Sequence, residues 1–227
     1  MMIETHFDDI SNRVSEKAAA CGRKVGDIKI IAVSKGCSIE AMQAVYRSGG
    51  RDFGESRVLE GLEKMPQMPN DCKWHLLGKL QTKKIRKAIQ AFSLIHSVDT
   101  VALASEISRA AKALGFEVSI LLQVNVSGEK TKQGNFPHEW EKGFEELNEL
   151  SNLKIEGLMT MAPYVEDEKV IRECFCKLYE LQERWRKHMN QPGIFCQLSM
   201  GMSHDYLIAI EEGATILRIG GAIFGQT

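Results

Sequence analysis

The sequence predicts an α/β fold: a single (β/α)8 TIM-type barrel with an extra N-terminal helix, forming one domain over residues 1–227. Three observations lead there. Short apolar runs alternate with longer amphipathic ones from about residue 28 to the C-terminus, which reads as repeated βα units. Several short runs, such as IKIIAV and VSILLQV, are almost continuously apolar, as parallel strands buried on both faces must be. A length of 227 residues suits one α/β barrel, which commonly spans about 200 to 250 residues.

The elements follow in order. Residues 4–21 carry Phe7, Ile10, Val14 and Ala18 at helical spacing, a helix that covers the barrel floor or flank. Strands are expected at residues 28–35, 52–55, 74–78, 94–98, 118–125, 155–161, 195–200 and 215–220. Between them, Ser38 with Glu40, Asp99-Thr100 and Ser203-His204-Asp205 read as helix openings. Gly49-Gly50, Gly115 and Gly213 stand just past apolar-periodic stretches, where a positive φ ends a helix. No Pro/Gly/Ser-rich linker divides the series. Eight strands without an edge-strand signature favour closure over an open doubly wound sheet.

Composition narrows the partners. A net charge of -1 and a pI near 6.6 leave no positive excess for a phosphate backbone or an anionic membrane, so nucleic acid is not expected. Mean hydropathy is -0.20 and no apolar run is long enough to span a bilayer or form a signal-peptide core, so a cytoplasmic protein without membrane contact is expected. The six cysteines, including Cys174 and Cys176 on opposite sides of one helix, read as reduced structural thiols.

In a (β/α)8 barrel the functional groups sit at the carboxyl ends of the strands. Here those ends read Lys35, then Glu55 with Ser56, Asn125, Ser199, and Arg218 with Gly220 and Gly221. Lys35 closes the run IIAVSK, and the alternation that buries Ile31 and Val33 aims its amine into the barrel mouth. The alternative is a surface lysine that merely ends a strand. In an enclosed, mostly apolar site the ammonium is destabilised and the amine becomes nucleophilic, which suits Schiff-base formation with an aldehyde.

Strands one and eight adjoin in a closed barrel, so RIGGAIFG, residues 218–225, comes close to Lys35. Gly220 and Gly221 expose backbone N–H groups, and the loop after strand eight is a recurrent phosphate cradle in this fold. The loop SMGMS, residues 199–203, adds the Ser199 hydroxyl, the bare backbone of Gly201 and the positive end of a helix opened by Ser203. Met200, beside Ser199, is counted with it among the contacts. Arg218 either faces the interior or emerges between helices. Facing inward, it donates to a ring nitrogen and keeps that nitrogen unprotonated.

These residues resemble the pyridoxal phosphate homeostasis proteins, relatives of the N-terminal barrel of alanine racemase. The resemblance spans nearly the whole chain through AVSK (32–35), FGESR (53–57), WHLLGKLQTKK (74–84), NVSGEKTKQG (125–134), GLMTMAP (157–163), LSMGMSHDY (198–206) and RIGGAIFG (218–225). It implies pyridoxal 5′-phosphate bound as a Schiff base on Lys35, the phosphate held by Ser199 with Gly220 and Gly221, and Arg218 facing the pyridine nitrogen. Three positions depart from the family pattern: Ser56 and Lys83 stand where Asn is usual, and Gly221 where a Thr or Ser hydroxyl is usual. The shorter Ser56 reaches the cofactor through water, and Gly221 removes one phosphate donor, a loss of roughly 1.5 to 3 kcal/mol unless backbone N–H groups compensate.

The resemblance implies a non-enzymatic carrier or buffer of the cofactor in vitamin B6 homeostasis, a monomer or weak dimer that hands its cargo to pyridoxal phosphate-dependent apo-enzymes. Racemisation needs a second base on the opposite face, which alanine racemase takes from a further C-terminal domain, and this chain stops just after the barrel. The rival reading is a racemase or decarboxylase using Lys35 with His75, Tyr164 or His204. A third is an aldolase-like barrel in which Lys35 condenses directly with substrate.

Overall fold

A computed structural model describes residues 2–129 and 133–225; residues 130–132 of the NVSGEKTKQG motif, and the ends of the 1–227 span, lie outside the described residues. Eight parallel strands run β1 (Lys29–Val33), β2 (Asp52–Glu55), β3 (Lys73–Leu76), β4 (Leu94–Val98), β5 (Val118–Gln123), β6 (Leu153–Met159), β7 (Gln197–Ser199) and β8 (Ile216–Ile219). Each pairs with the next, and β8 returns to β1 through Lys29↔Ile216 to Ala32↔Ile219, closing the barrel. β2 and β4 keep the bounds the pattern predicts. The others end earlier at their carboxyl ends, where the chain leaves the ladder to build the mouth loops: Ser34–Lys35 after β1, Val124–Asn125 after β5 and Met200 after β7.

Ten helices surround the strands: α1 (Met2–Ala20), α2 (Ile39–Arg47), α3 (Val58–Lys64), α4 (Ile85–Ala91), α5 (Val101–Leu114), α6 (Pro137–Lys142), α7 (Phe144–Glu149), α8 (Glu168–Arg186), α9 (Tyr206–Glu211) and α10 (Gly221–Phe224), counted among the described residues. Ser38 caps α2 by accepting from Ala41 N at 3.3 Å, and Thr100 caps α5 by accepting from Leu103 N at 3.1 Å. α1 buries Phe7, Ile10, Val14 and Ala18, the four residues its spacing singles out. It lies against α2, α9 and α10, so it covers the flank over the β8–β1 seam and not the floor.

Strand alternation divides the core into two layers. Outward residues such as Ala32, Phe53, Leu76, Leu122 and Leu217 pack against the helices. Inward residues Ile31, Leu94, Leu121, Met159 and Ile216 fill the lumen. Each such side chain contributes about 1.5 to 3 kcal/mol of burial. These side chains pack together across the middle of the lumen. Among the described residues no helix is long and apolar enough to cross a membrane, and no disulfide joins the cysteines.

Candidate functional site

Pairing of β1 with β8 brings the turn after one strand beside the turn after the other. Lys35 occupies the first turn, between Ser34 and Gly36, and is exposed. The expected enclosure of its amine is corrected here: β1 ends at Val33, the backbone turns, and the alternation of Ile31 and Val33 no longer dictates where residue 35 points. Gly220 opens the second turn. A Cβ there would lie 3.3 Å from both the Val33 Cβ and the Val33 carbonyl oxygen, so the approach of the two turns favours a bare backbone. Gly221 follows as the first residue of α10. Ser56, half-buried after β2, packs its backbone so closely on Gly78 that a Cβ at residue 78 would fall 2.1 Å from the Ser56 oxygen.

Beneath Lys35 lies a buried charged cluster. The Lys64 ammonium donates to Ser34 O at 2.7 Å, Glu55 Oε1 at 2.8 Å and Glu60 Oε1 at 2.7 Å. Ser34 Oγ donates to Glu55 Oε1 at 2.7 Å, and Gly36 N donates to Glu60 Oε1 at 2.7 Å. Both neighbours of Lys35 are thereby pinned. Burial pushes the Glu55 carboxyl up, against the pull of Lys64 and Ser34. Burial works to lower Lys64, but its bonds to Glu55 and Glu60 win and hold it above the ordinary lysine value. Glu55, expected at the mouth, points outward from β2 toward α3 because it shares the outward phase of Phe53.

Arg218 faces the lumen, resolving the two orientations the sequence allows. Its Nη1 donates to Ser199 Oγ at 2.6 Å and its Nη2 to Thr160 O at 2.8 Å. Burial lowers its pKa to about 10, with the Asp205 carboxylate opposing, so the guanidinium stays charged at neutral pH. Among the described residues no carboxylate forms an ion pair with it, and two bonds leave further N–H donors for another acceptor. A chain of polar contacts continues from Ser199. Its Oγ lies 2.9 Å from His96 Nδ1, His96 Nε2 lies 3.1 Å from His75 Nδ1, and His75 Nε2 lies 2.9 Å from Asp52 Oδ1.

The loops after β7 and β8 are stitched together by Ala222 N, which donates to Ser203 Oγ at 3.2 Å. Gly201, with φ of +92°, leaves no room for a side chain, since a Cβ would lie 2.6 Å from that of Ala209. Expectations change in this region. The helix opens at Asp205, the last residue of the expected Ser203–Asp205 opening, and not at Ser203: α9 starts at Tyr206, and Asp205 turns its Oδ1 back to accept from Met202 N. Met200 is fully buried in the layer facing the helices and its N–H is used by Ile216 O, because alternation after the inward Ser199 sends it outward. Ser199 is itself fully buried inside the barrel. Asn125 serves its own loop, donating to Glu129 O at 2.8 Å and accepting from Ser127 Oγ and Gly128 N.

Sequence reasoning singled out neither Asp52, His96, Lys64, Glu60 nor the hydroxyl of Ser203 as a site group, and took His75 only as a catalytic alternative. A signal existed for two of them. In WHLLG and LIHSV the histidines alternate with outward Trp74, Leu76 and Ile95, which places both in the lumen.

The model of the alanine racemase N-terminal domain matches residues 8–227. The pyridoxal phosphate homeostasis protein of Aquifex aeolicus is 39% identical over 218 residues, covering 96% of this chain and 95% of its own. Among solved structures, an unknown protein from Bifidobacterium adolescentis superposes with a TM-score of 0.92 at 32% identity, covering 98% of this chain and 94% of that one. PipY of Synechococcus elongatus, solved with PLP bound, gives 0.80 at 35% identity and covers 93% of this chain and 100% of that one.

Proposed function

The chain belongs to the pyridoxal phosphate homeostasis protein family, and from that premise we propose that it holds pyridoxal 5′-phosphate at the barrel mouth as a Schiff base on Lys35. One juxtaposition carries the reading. The β1–β8 pairing sets the turn that carries the exposed Lys35 beside the Gly220–Gly221 turn, next to the strand from which Arg218, a buried guanidinium with donors to spare, faces the lumen. Those are the groups that an aldehyde, a ring nitrogen and a phosphate each require.

When bound, the cofactor supplies an electrophilic aldehyde and an electron-withdrawing ring. The protein's own residues do the rest. Glu60 and Lys64 fix the backbone on both sides of Lys35 and so present its amine. Arg218 donates to the ring nitrogen and, being charged throughout the neutral range, keeps that nitrogen unprotonated. N–H groups of the Gly220–Gly221 turn, with the neighbouring Ser203 loop, face the phosphate; Ser56 lies on the rim of the same mouth. Neither Met200 nor the Ser199 hydroxyl is retained as a phosphate ligand.

This arrangement favours carrying over catalysis, because an unprotonated ring is a weak electron sink and an exposed amine is open to exchange. The protein then acts as a cytoplasmic carrier or buffer that delivers the cofactor to apo-enzymes. The test is to load the protein, reduce it with borohydride and map the modified peptide. The modification is expected on Lys35, and α-hydrogen exchange of L-amino acids in D₂O is expected to match that of free cofactor. A modification on another lysine with none on Lys35 overturns the site; enzyme-like exchange abolished by Lys35→Ala overturns the carrier role.

A further inference from the structure

From the floor of the barrel to Arg218 the lumen is crossed by one unbroken polar line. Lys29 Nζ lies 3.3 Å from Asp52 Oδ1, and the contacts of Asp52 with His75, His75 with His96, His96 with Ser199 and Ser199 with Arg218 follow without a gap. The hydrogens in this line can be placed by counting donors. Asp52 is an acceptor: although burial opposes it, His75 and Lys29 hold its carboxyl below the usual range. His75 Nε2 must then carry a hydrogen. Burial keeps both rings neutral, His75 below and His96 well below the ordinary imidazole value, so each ring has a single N–H.

With its hydrogen on Nε2, His75 accepts at Nδ1, so His96 must donate from Nε2. His96 Nδ1 is then an acceptor, and among the described residues the hydrogen that fills it is that of the Ser199 hydroxyl. Ser199 Oγ in turn accepts from Arg218. The opposite direction would require a protonated Asp52. Each hydroxyl and ring hydrogen is therefore committed, and Ser199 has none left for a phosphate.

We propose that Asp52, His75 and His96 are positioning residues that, through Ser199, lock the Arg218 guanidinium in the place where it would meet the ring nitrogen of the bound cofactor. The inference rests on the reading that Arg218 meets the pyridine nitrogen. It assigns Ser199 to the ring end of the site and away from the phosphate end.

Two measurements on the full chain separate this inference from that reading. Long-range ¹H–¹⁵N spectra of the histidine rings, recorded without cofactor, are expected to show His75 and His96 as neutral Nε2–H tautomers. An Nδ1–H tautomer or a doubly protonated ring at either position overturns the chain whatever the cofactor does. Binding of pyridoxal 5′-phosphate and of pyridoxal is then compared in the wild type, Ser199→Ala and His96→Phe, with His96→Gln as the conservative variant. Ser199→Ala is expected to weaken both ligands by a similar factor, around tenfold, and to move the absorption band of the bound cofactor. His96→Phe should do the same, and His96→Gln should recover most of the loss. A loss confined to the phosphate form in Ser199→Ala returns that hydroxyl to the phosphate; unchanged affinity and spectrum in Ser199→Ala overturn the positioning role even if His96→Phe fails to fold. A wild type whose modified lysine is not Lys35, but whose tautomers are as stated, fails the site reading alone.

Discussion

Strand β2 sends one carboxylate to each face of the barrel wall, and the two meet opposite fates. Asp52 points into the lumen and ends a line of neutral histidines; Glu55 points out toward α3 and meets the Lys64 ammonium. The first network works through hydrogen direction and supports Arg218. The second works through charge and supports the backbone around Lys35. Period-two alternation separates the two carboxylates, but their roles come from what each face offers. In the lumen, imidazoles can lose charge to satisfy burial. Between barrel and helix, a lysine on a flexible stem can reach three acceptors at once.

The sharpest way to break the contrast is Lys64→Met. It leaves the fully buried Glu55 carboxyl without its cation, and loss of one partner of a buried pair costs about 3 to 5 kcal/mol. Urea unfolding measures this. A loss below about 1 kcal/mol would mean that Glu55 is held neutral, and that the two networks differ less than their partners suggest. Borohydride trapping on the surviving folded fraction should also fall, because the Lys35 turn loses its anchor.

The lumen network predicts a pH dependence of its own. Burial holds His75 and His96 below the ordinary value of 6.5, so the unfolded chain takes up protons that the folded chain refuses. Their contribution to stability is complete above pH 6.5 and falls as the pH drops below it, by up to about 1.4 kcal/mol per pH unit for each ring. Denaturation midpoints between neutral and mildly acid pH check this. The double variant His75→Gln/His96→Gln should show a flatter curve; an equally steep one would place the acid sensitivity elsewhere.

The smallest effect expected is for Ser34→Ala. The hydroxyl gives Glu55 Oε1 a second donor at 2.7 Å, yet Lys64 remains on the same oxygen. A loss of about 1 kcal/mol in urea unfolding is expected, typical of one buried hydrogen bond. A loss as large as that of Lys64→Met would show that hydrogen bonding, and not charge, holds the bracket together.

Local periodicity was enough for the sequence to determine the architecture. Eight apolar runs, two with the observed bounds, and the four-residue stripe of α1 are properties of neighbouring residues, and neighbours are what a sequence displays. That the Lys35 turn and the Gly220 turn adjoin was legible because closure places the last strand beside the first. The direction of a side chain beyond a strand end was not, and so Lys35 proves exposed and Met200 turns to the helices. Nor was the partner of a buried polar group. His96 and Ser199 stand 103 residues apart, and Lys64 reaches back 30 residues to Ser34. Such bonds exist only once the barrel has closed, because burial is what obliges each polar atom to find a partner, and tertiary packing alone decides which partner is within reach.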